Sequence, residues 1–310
     1  MGDMSQVLKT LKSKLWRNNV AFLVLPFFAV LAIGQPAHAA TVQPGLTISP
    51  LRTELTIAPG TVKTGQLTIY NTTTSDINVS MSAEAFGVIN EQYDYTFDPS
   101  SKIASWAHFD PSALVLLAGK SAQVNYSIGI PLDAEPGGQY LSLFAATDIK
   151  SGTQGISTSE RVGSLLYITV DGKVTHTGHL LKLLTPWTTV GSSDWEATIQ
   201  NTGTTHFISM YTMDVKTLWD SEVSSSSGSS LILPSTIRLV QGTIAQPDIP
   251  GIYKITYTAS LGDSPSVTIY RYILYMPVYG WIIIVLVLAY FAGKGFRIYR
   301  TKHSKKTETR

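Results

Sequence analysis

Between residues 40 and 272 the apolar side chains recur at every second position in short runs and nowhere sustain a helical period. Alternate residues of an extended chain face opposite sides, so such runs bury their apolar half by pairing into sheets with one face inward. The runs are 46–48, 55–57, 66–70, 77–81, 124–130, 140–146, 162–170, 195–200, 253–259 and 267–271, each bounded by Gly, Pro, Asn, Asp or Ser. An antiparallel, all-β body follows.

Two repeats divide that body. Leu67-Thr68-Ile69-Tyr70-Asn71-Thr72 is echoed by Ala197-Thr198-Ile199-Gln200-Asn201-Thr202, each a strand running into a polar turn. Pro136-Gly137-Gly138-Gln139-Tyr140 is echoed by Pro250-Gly251-Ile252-Tyr253, where Pro-Gly makes the turn and Tyr opens a late strand. The same signals in the same order predict two tandem immunoglobulin-like β-sandwiches, at 40–172 and 173–272, meeting near Asp171-Gly172. Ser151–Ser159 and Ser224–Ser230 are too polar and too poor in bulky residues to bury, and are expected as surface loops with contact loops as the alternative.

The ends have a different chemistry. A basic stretch ending at Arg17, the apolar run from Val20 to Gly34 and Ala37-His38-Ala39 make the layout of a secretory signal peptide over 1–39. Residues 273–292 carry no charge and are long enough for one membrane-spanning helix, with Tyr272, Tyr275, Tyr279 and Trp281 as interfacial aromatics. Seven bases and one acid follow at 293–310, which places that tail in the cytoplasm and the sandwiches outside a single-pass cell membrane protein. The 310 residues hold 23 bases and 21 acids, but the middle of the chain keeps only twelve bases against nineteen acids. Nucleic acid is therefore excluded as a main partner. Cysteine is absent, which removes disulfides, Cys-ligated zinc and thiol catalysis, and favours a bacterial surface for an exported chain.

Few residues suggest chemistry. Asp94, Asp98 and Asp110 lie among Tyr93, Tyr95, Phe97, Trp106 and Phe109, a mixture that suits a sugar stacked on rings, a glycosidase pair, or ordinary packing. Tyr93, Asp94, Tyr95 and Asp98 are the candidate ligand contacts, with the two tyrosines on one strand face, while Trp106 is expected to be structural. His176 and His179 could share a metal only if the chain turns at Gly178. Nucleophile and phosphate-loop motifs are missing, so neither catalytic residues, nor a metal, nor a cofactor is assigned. Leu233-Pro234-Ser235-Thr236-Ile237 resembles a sorting signal without its final Gly, and the sequons at Asn71, Asn78 and Asn125 are discounted as chance.

The chain resembles the WxL-interacting protein family of Gram-positive surfaces. In the first domain the likeness rests on Ile48-Ser49-Pro50-Leu51, on Gln66–Thr72, on Pro111 with Leu114–Lys120, and on Ile130-Pro131 leading to Pro136–Tyr140. In the second it rests on Ile199–Gly203 and Pro250–Tyr253. That resemblance implies a first domain similar to peptidoglycan-binding ones and a second that engages surface proteins. Periplasmic pilus chaperones are similar in the first domain too, yet they are soluble. The expected role is a non-catalytic binder of cell-wall glycan or other surface proteins; the rivals are a structural subunit of a membrane complex and a surface hydrolase.

Overall fold

The computed structural model describes residues 45–148, 150–151 and 157–307, with side chains over 45–148 and 159–297. The expected signal peptide at 1–39, with His38, and residues 152–156 of the Ser-rich insert lie outside the described residues. The first half runs β1 Leu46–Ser49, β2 Arg52–Ile57, β3 Val62–Asn71, β4 Ile77–Val88, β5 Tyr95–Asp98, a 3-10 turn Lys102–Trp106, β6 Ala107–Asp110, β7 Ala113–Leu116, β8 Ser121–Gly129, β9 Gly137–Thr147, β10 Lys150–Ser151, β11 Ser157–Thr158 and β12 Arg161–Val170. The second runs β13 Gly178–Leu184, β14 Thr188–Thr189, β15 Ser193–Asn201, β16 Phe207–Thr217, β17 Glu222–Ile232, β18 Ile237–Ile244, β19 Gly251–Leu261 and β20 Ser264–Tyr275, and passes into helix α1, Val278–Thr307.

Each half is an immunoglobulin-like sandwich. One sheet of the first has the order β1-β3-β8-β6, and the other β2-β12-β9-β4-β5, with β7 also on β4. The second repeats this as β13-β15-β18 against β14-β20-β19-β16-β17. In both, an early strand starts antiparallel in one sheet (β1 on β3, β13 on β15), and the chain then crosses to pair parallel with the last strand of the other (β2 on β12, β14 on β20). The alternation seen in the sequence is the physical basis: β3 buries Leu67, Ile69 and Asn71, and β15 buries Trp195, Ala197, Ile199 and Asn201.

The repeated asparagine has a job that the pattern alone did not reveal. Asn71 Nδ2 donates to the carbonyls of Ser75, Leu116 and Leu117, while its Oδ1 accepts from Thr73 N and Thr73 Oγ1. Asn201 Nδ2 likewise donates to the Thr205 and Ile232 carbonyls, and its Oδ1 accepts from Gly203 N. Each amide ties a strand end to a neighbouring turn, where an orphaned carbonyl would cost about 1–3 kcal/mol. The sequon at Asn71 is thereby sequestered.

A second regularity concerns glycine. Gly65, Gly163, Gly228 and Gly242 each sit directly across from an aromatic residue, namely Tyr126, Phe144, Tyr211 and Trp195. The rings lie over the bare backbone, and a Cβ at Gly242 would come within 2.7 Å of the Trp195 indole. Aromatic cover of this kind offsets the weakness of glycine in a strand.

Two sequence expectations are corrected. Ser224–Ser230 is not a loop: it lies inside β17, whose backbone pairs with β16 from Phe207↔Ile232 to Lys216↔Glu222. Serines carry no apolar stripe, so the strand is invisible to periodicity. The expected helix start at Ile273 falls inside β20, because Ile273 and Tyr275 are buried and Leu274 N and Met276 N donate to the Trp187 and Thr189 carbonyls. Tyr275, expected at a membrane interface, accepts instead from Gln246 Nε2 at 2.8 Å. Pro277, which cannot extend a ladder, separates strand from helix. Within α1, Val278–Arg297 is long and apolar enough to cross a membrane, with Lys294 and Arg297 at its far end, and none of it is buried against the sandwiches.

Candidate binding surfaces

The loop between β4 and β5 decides what Tyr93 does. Asn90 shapes it, its Nδ2 donating to Asp94 Oδ2 at 2.7 Å and its Oδ1 accepting from Asp94 N at 3.0 Å. Tyr93 sits there in the left-handed region, φ 69°, and turns into the seam between the sandwiches with 6% of its surface exposed. Its hydroxyl meets Thr236 Oγ1 at 2.7 Å and accepts from Leu233 N at 2.8 Å, and the Arg238 guanidinium lies over its ring at 4.2 Å. Burial pushes the Tyr93 phenol up from its ordinary pKa, against its hydrogen bonds to Thr236 and Leu233. Tyr93 therefore does not share a strand face with Tyr95, and offers no ring to a ligand. The turn with which it docks is Leu233–Ile237, the segment that resembled a sorting signal.

Other contacts extend the seam. Leu239 N donates to Glu91 O, and Gly138 N donates to Thr204 O, each at 2.9 Å or less. The Tyr140 hydroxyl meets His206 Nδ1 at 3.2 Å, and the His206 ring packs against Tyr140 and Tyr167 at 5.6 and 5.3 Å. Phe86, Tyr93, Tyr140 and Tyr167 of the first sandwich belong to the same buried cluster as the core of the second.

Tyr95 and Phe97 are what the candidate segment does expose. They sit two apart on β5, 44% and 40% exposed, their rings nearly parallel at 28° with centroids 6.5 Å apart. Edge-to-face contacts to Phe86 at 5.7 Å and Phe144 at 5.1 Å hold them from below. Arg161 borders this ledge, its guanidinium 6.0 Å from the Phe97 ring and paired with Glu84. Asp98 accepts from Ser100 Oγ and N at 2.6 and 2.9 Å, bonds that hold its carboxyl below the usual range. Asp94 and Asp98 thus serve local turns. Trp106, in the 3-10 turn, is half-buried against the first core.

Two clefts open along the seam. One, of about 260 Å³, is lined by Arg52, Tyr95, Tyr167, Arg238 and the 229–231 end of β17. Arg52 pairs with Glu54 and lies 4.6 Å over the Tyr167 ring. The other, of about 450 Å³, is lined by Glu54, His176, His206 and Asp263 among others, with His176 Nδ1 3.2 Å from Asp263 Oδ2. Among the described residues no three His, Asp or Glu side chains converge as a metal site would require.

No protein-family model matches the chain, and no curated protein does. Solved structures do. The class 5 fimbriae chaperone CfaA is similar with a TM-score of 0.42 and 8% identity, over 74% of this chain and 100% of that one. A chain of the Salmonella enterica complex of SafA pilin with the SafB chaperone gives 0.37 and 15%, over 75% and 99%. A chain of the CsuC–CsuE chaperone–tip adhesion subunit complex of Acinetobacter baumannii gives 0.37 and 13%, over 74% and 99%. Likeness at this level carries no ligand or partner across to this chain.

Proposed function

We propose that the protein is a non-catalytic binder at a bacterial surface, held in the cell membrane by α1 with its sandwiches outside, and that its ligand is cell-wall glycan. The observation that carries the ligand is the Tyr95–Phe97 ledge: two large rings, exposed side by side on a short edge strand and fixed from beneath by Phe86 and Phe144. Such rings suit the apolar C–H face of a sugar, and their rigid support limits the entropy lost on binding. A non-catalytic role is favoured by the carboxylates nearby: Asp94 and Asp98 are engaged in local turns, and Glu84 is paired with Arg161. Anchoring is supported by the uncovered apolar span within 278–297 and the run of bases that starts at Lys294. Kinship with WxL-interacting proteins remains part of this proposal and rests on the motifs quoted above.

The test is sedimentation of the chain with purified cell wall. Tyr95→Ala/Phe97→Ala should weaken the apparent affinity at least tenfold, since losing even one stacking contact of ~1.4 kcal/mol is tenfold in the binding constant. Unchanged sedimentation by a folded double variant rejects the ledge.

A further inference from the structure

We propose that the open edge of β17 takes up an extended segment of a partner protein as an added strand, with an acidic side chain of that segment seated between Arg52 and Arg238. This goes beyond glycan binding; Tyr95 borders both surfaces, but the strand edge and the arginines that carry this proposal are not part of the ledge. β17 closes one end of its five-stranded sheet, and among the described residues its only strand partner is β16. Its other side is a row of backbone donors and acceptors, which sheets commonly guard with charge, proline or brevity. Charge guards only its ends, with Glu222 at the start and Arg238 Nη1 donating to the Leu231 carbonyl at the finish; between them, from Val223 to Ser230, the strand is serine, glycine and one valine over eight residues, without charge or proline. The equivalent edge of the first sandwich, β5, is four residues long, ends in Asp98 and is followed by Pro99.

Charge identifies the occupant. The open edge leads past Ser229 and Ser230 into the cleft that holds both guanidiniums, where the buried Leu231 ends it. Arg52 has Glu54 as its partner, but Arg238 donates only to the Leu231 carbonyl at 2.6 Å and lies on the Tyr93 ring, with no carboxylate at ion-pair distance among the described residues. A strand laid along β17 satisfies the edge, and a carboxylate carried into the cleft satisfies Arg238. The small serines leave room for bulky cross-strand neighbours on the incoming chain.

The experiment uses the full chain in detergent micelles and fluorescein-labelled heptapeptides of alternating Thr and Val, with one Asp moved through each position. Anisotropy should show saturable binding for one Asp position, weakened at least tenfold when that Asp is Asn or when the protein carries Arg238→Gln, and lost when the peptide's edge-facing amides are N-methylated. Equal binding of the Asn peptide overturns the arginine seat, and tolerance of N-methylation overturns strand addition. No saturable binding at any position overturns both. A dimer in light scattering whose dissociation on dilution restores peptide binding replaces the partner by a second copy. The peptide changes leave the protein untouched, so the outcome does not hang on the folding of Arg238→Gln.

Discussion

Tyr93 and His206 show how single side chains join the two halves. Tyr93→Phe deletes the hydroxyl that meets Thr236 and accepts from the buried Leu233 amide, and an orphaned buried donor costs about 1–3 kcal/mol. Urea denaturation should read that loss, while sedimentation with cell wall stays unchanged because the ring is not exposed. His206 responds to pH. Burial holds its imidazole below the ordinary 6.5, with Arg52 and His176 acting in the same sense and Glu54 opposing. The unfolded chain therefore takes up a proton that the folded one resists, so the contribution is full above about 6.5 and drains away as pH falls toward the lower folded value. Denaturation midpoints should fall between about pH 7 and pH 5, and His206→Gln should flatten that fall.

At the scale of elements, two strands escaped the pattern for opposite reasons. β17 has hydrogen-bonding capacity but no apolar face to betray it, whereas the end of β20 was hidden because its buried Ile273 and Tyr275 open an unbroken apolar run. The boundary has a direct test. A chain ending at Met276 keeps the whole β19–β20 ladder and the β14 pairing, and should be soluble and cooperative without α1. One ending at Tyr272 loses two buried side chains, each worth roughly 1.5–3 kcal/mol, together with the Trp187 and Thr189 hydrogen bonds. It should melt well below the longer form by circular dichroism. Equal melting would mean that the strand end adds nothing.

For the whole molecule, the alternation made the two sandwiches legible because most of the long strands, such as β3, β8, β15 and β19, bury alternate residues, and the Asn and Pro-Gly echoes fell at equivalent strand ends. The seam was not legible, since Tyr93 and Thr236 are 143 residues apart and Tyr93-Asp94-Tyr95 reads as plain strand until a positive φ turns its first ring aside. That seam predicts one calorimetric transition for residues 45–276, because Phe86, Tyr93, Tyr140 and Tyr167 share a buried cluster with the second core. Residues 173–276 alone should melt lower; two separate transitions in the joined form would show the seam to be weak. The continuity of β20 with α1 also sets how the molecule bears load. With α1 held in a bilayer and the first sandwich attached to the wall, tension enters along the axis of β20, flanked by β19 and, at its end, by β14. Ladder bonds run perpendicular to that axis and share the pull in shear, where a strand drawn away sideways would lose them one at a time. Under the proposed wall binding and membrane anchoring, the last strand is a tether that resists tugging between the two.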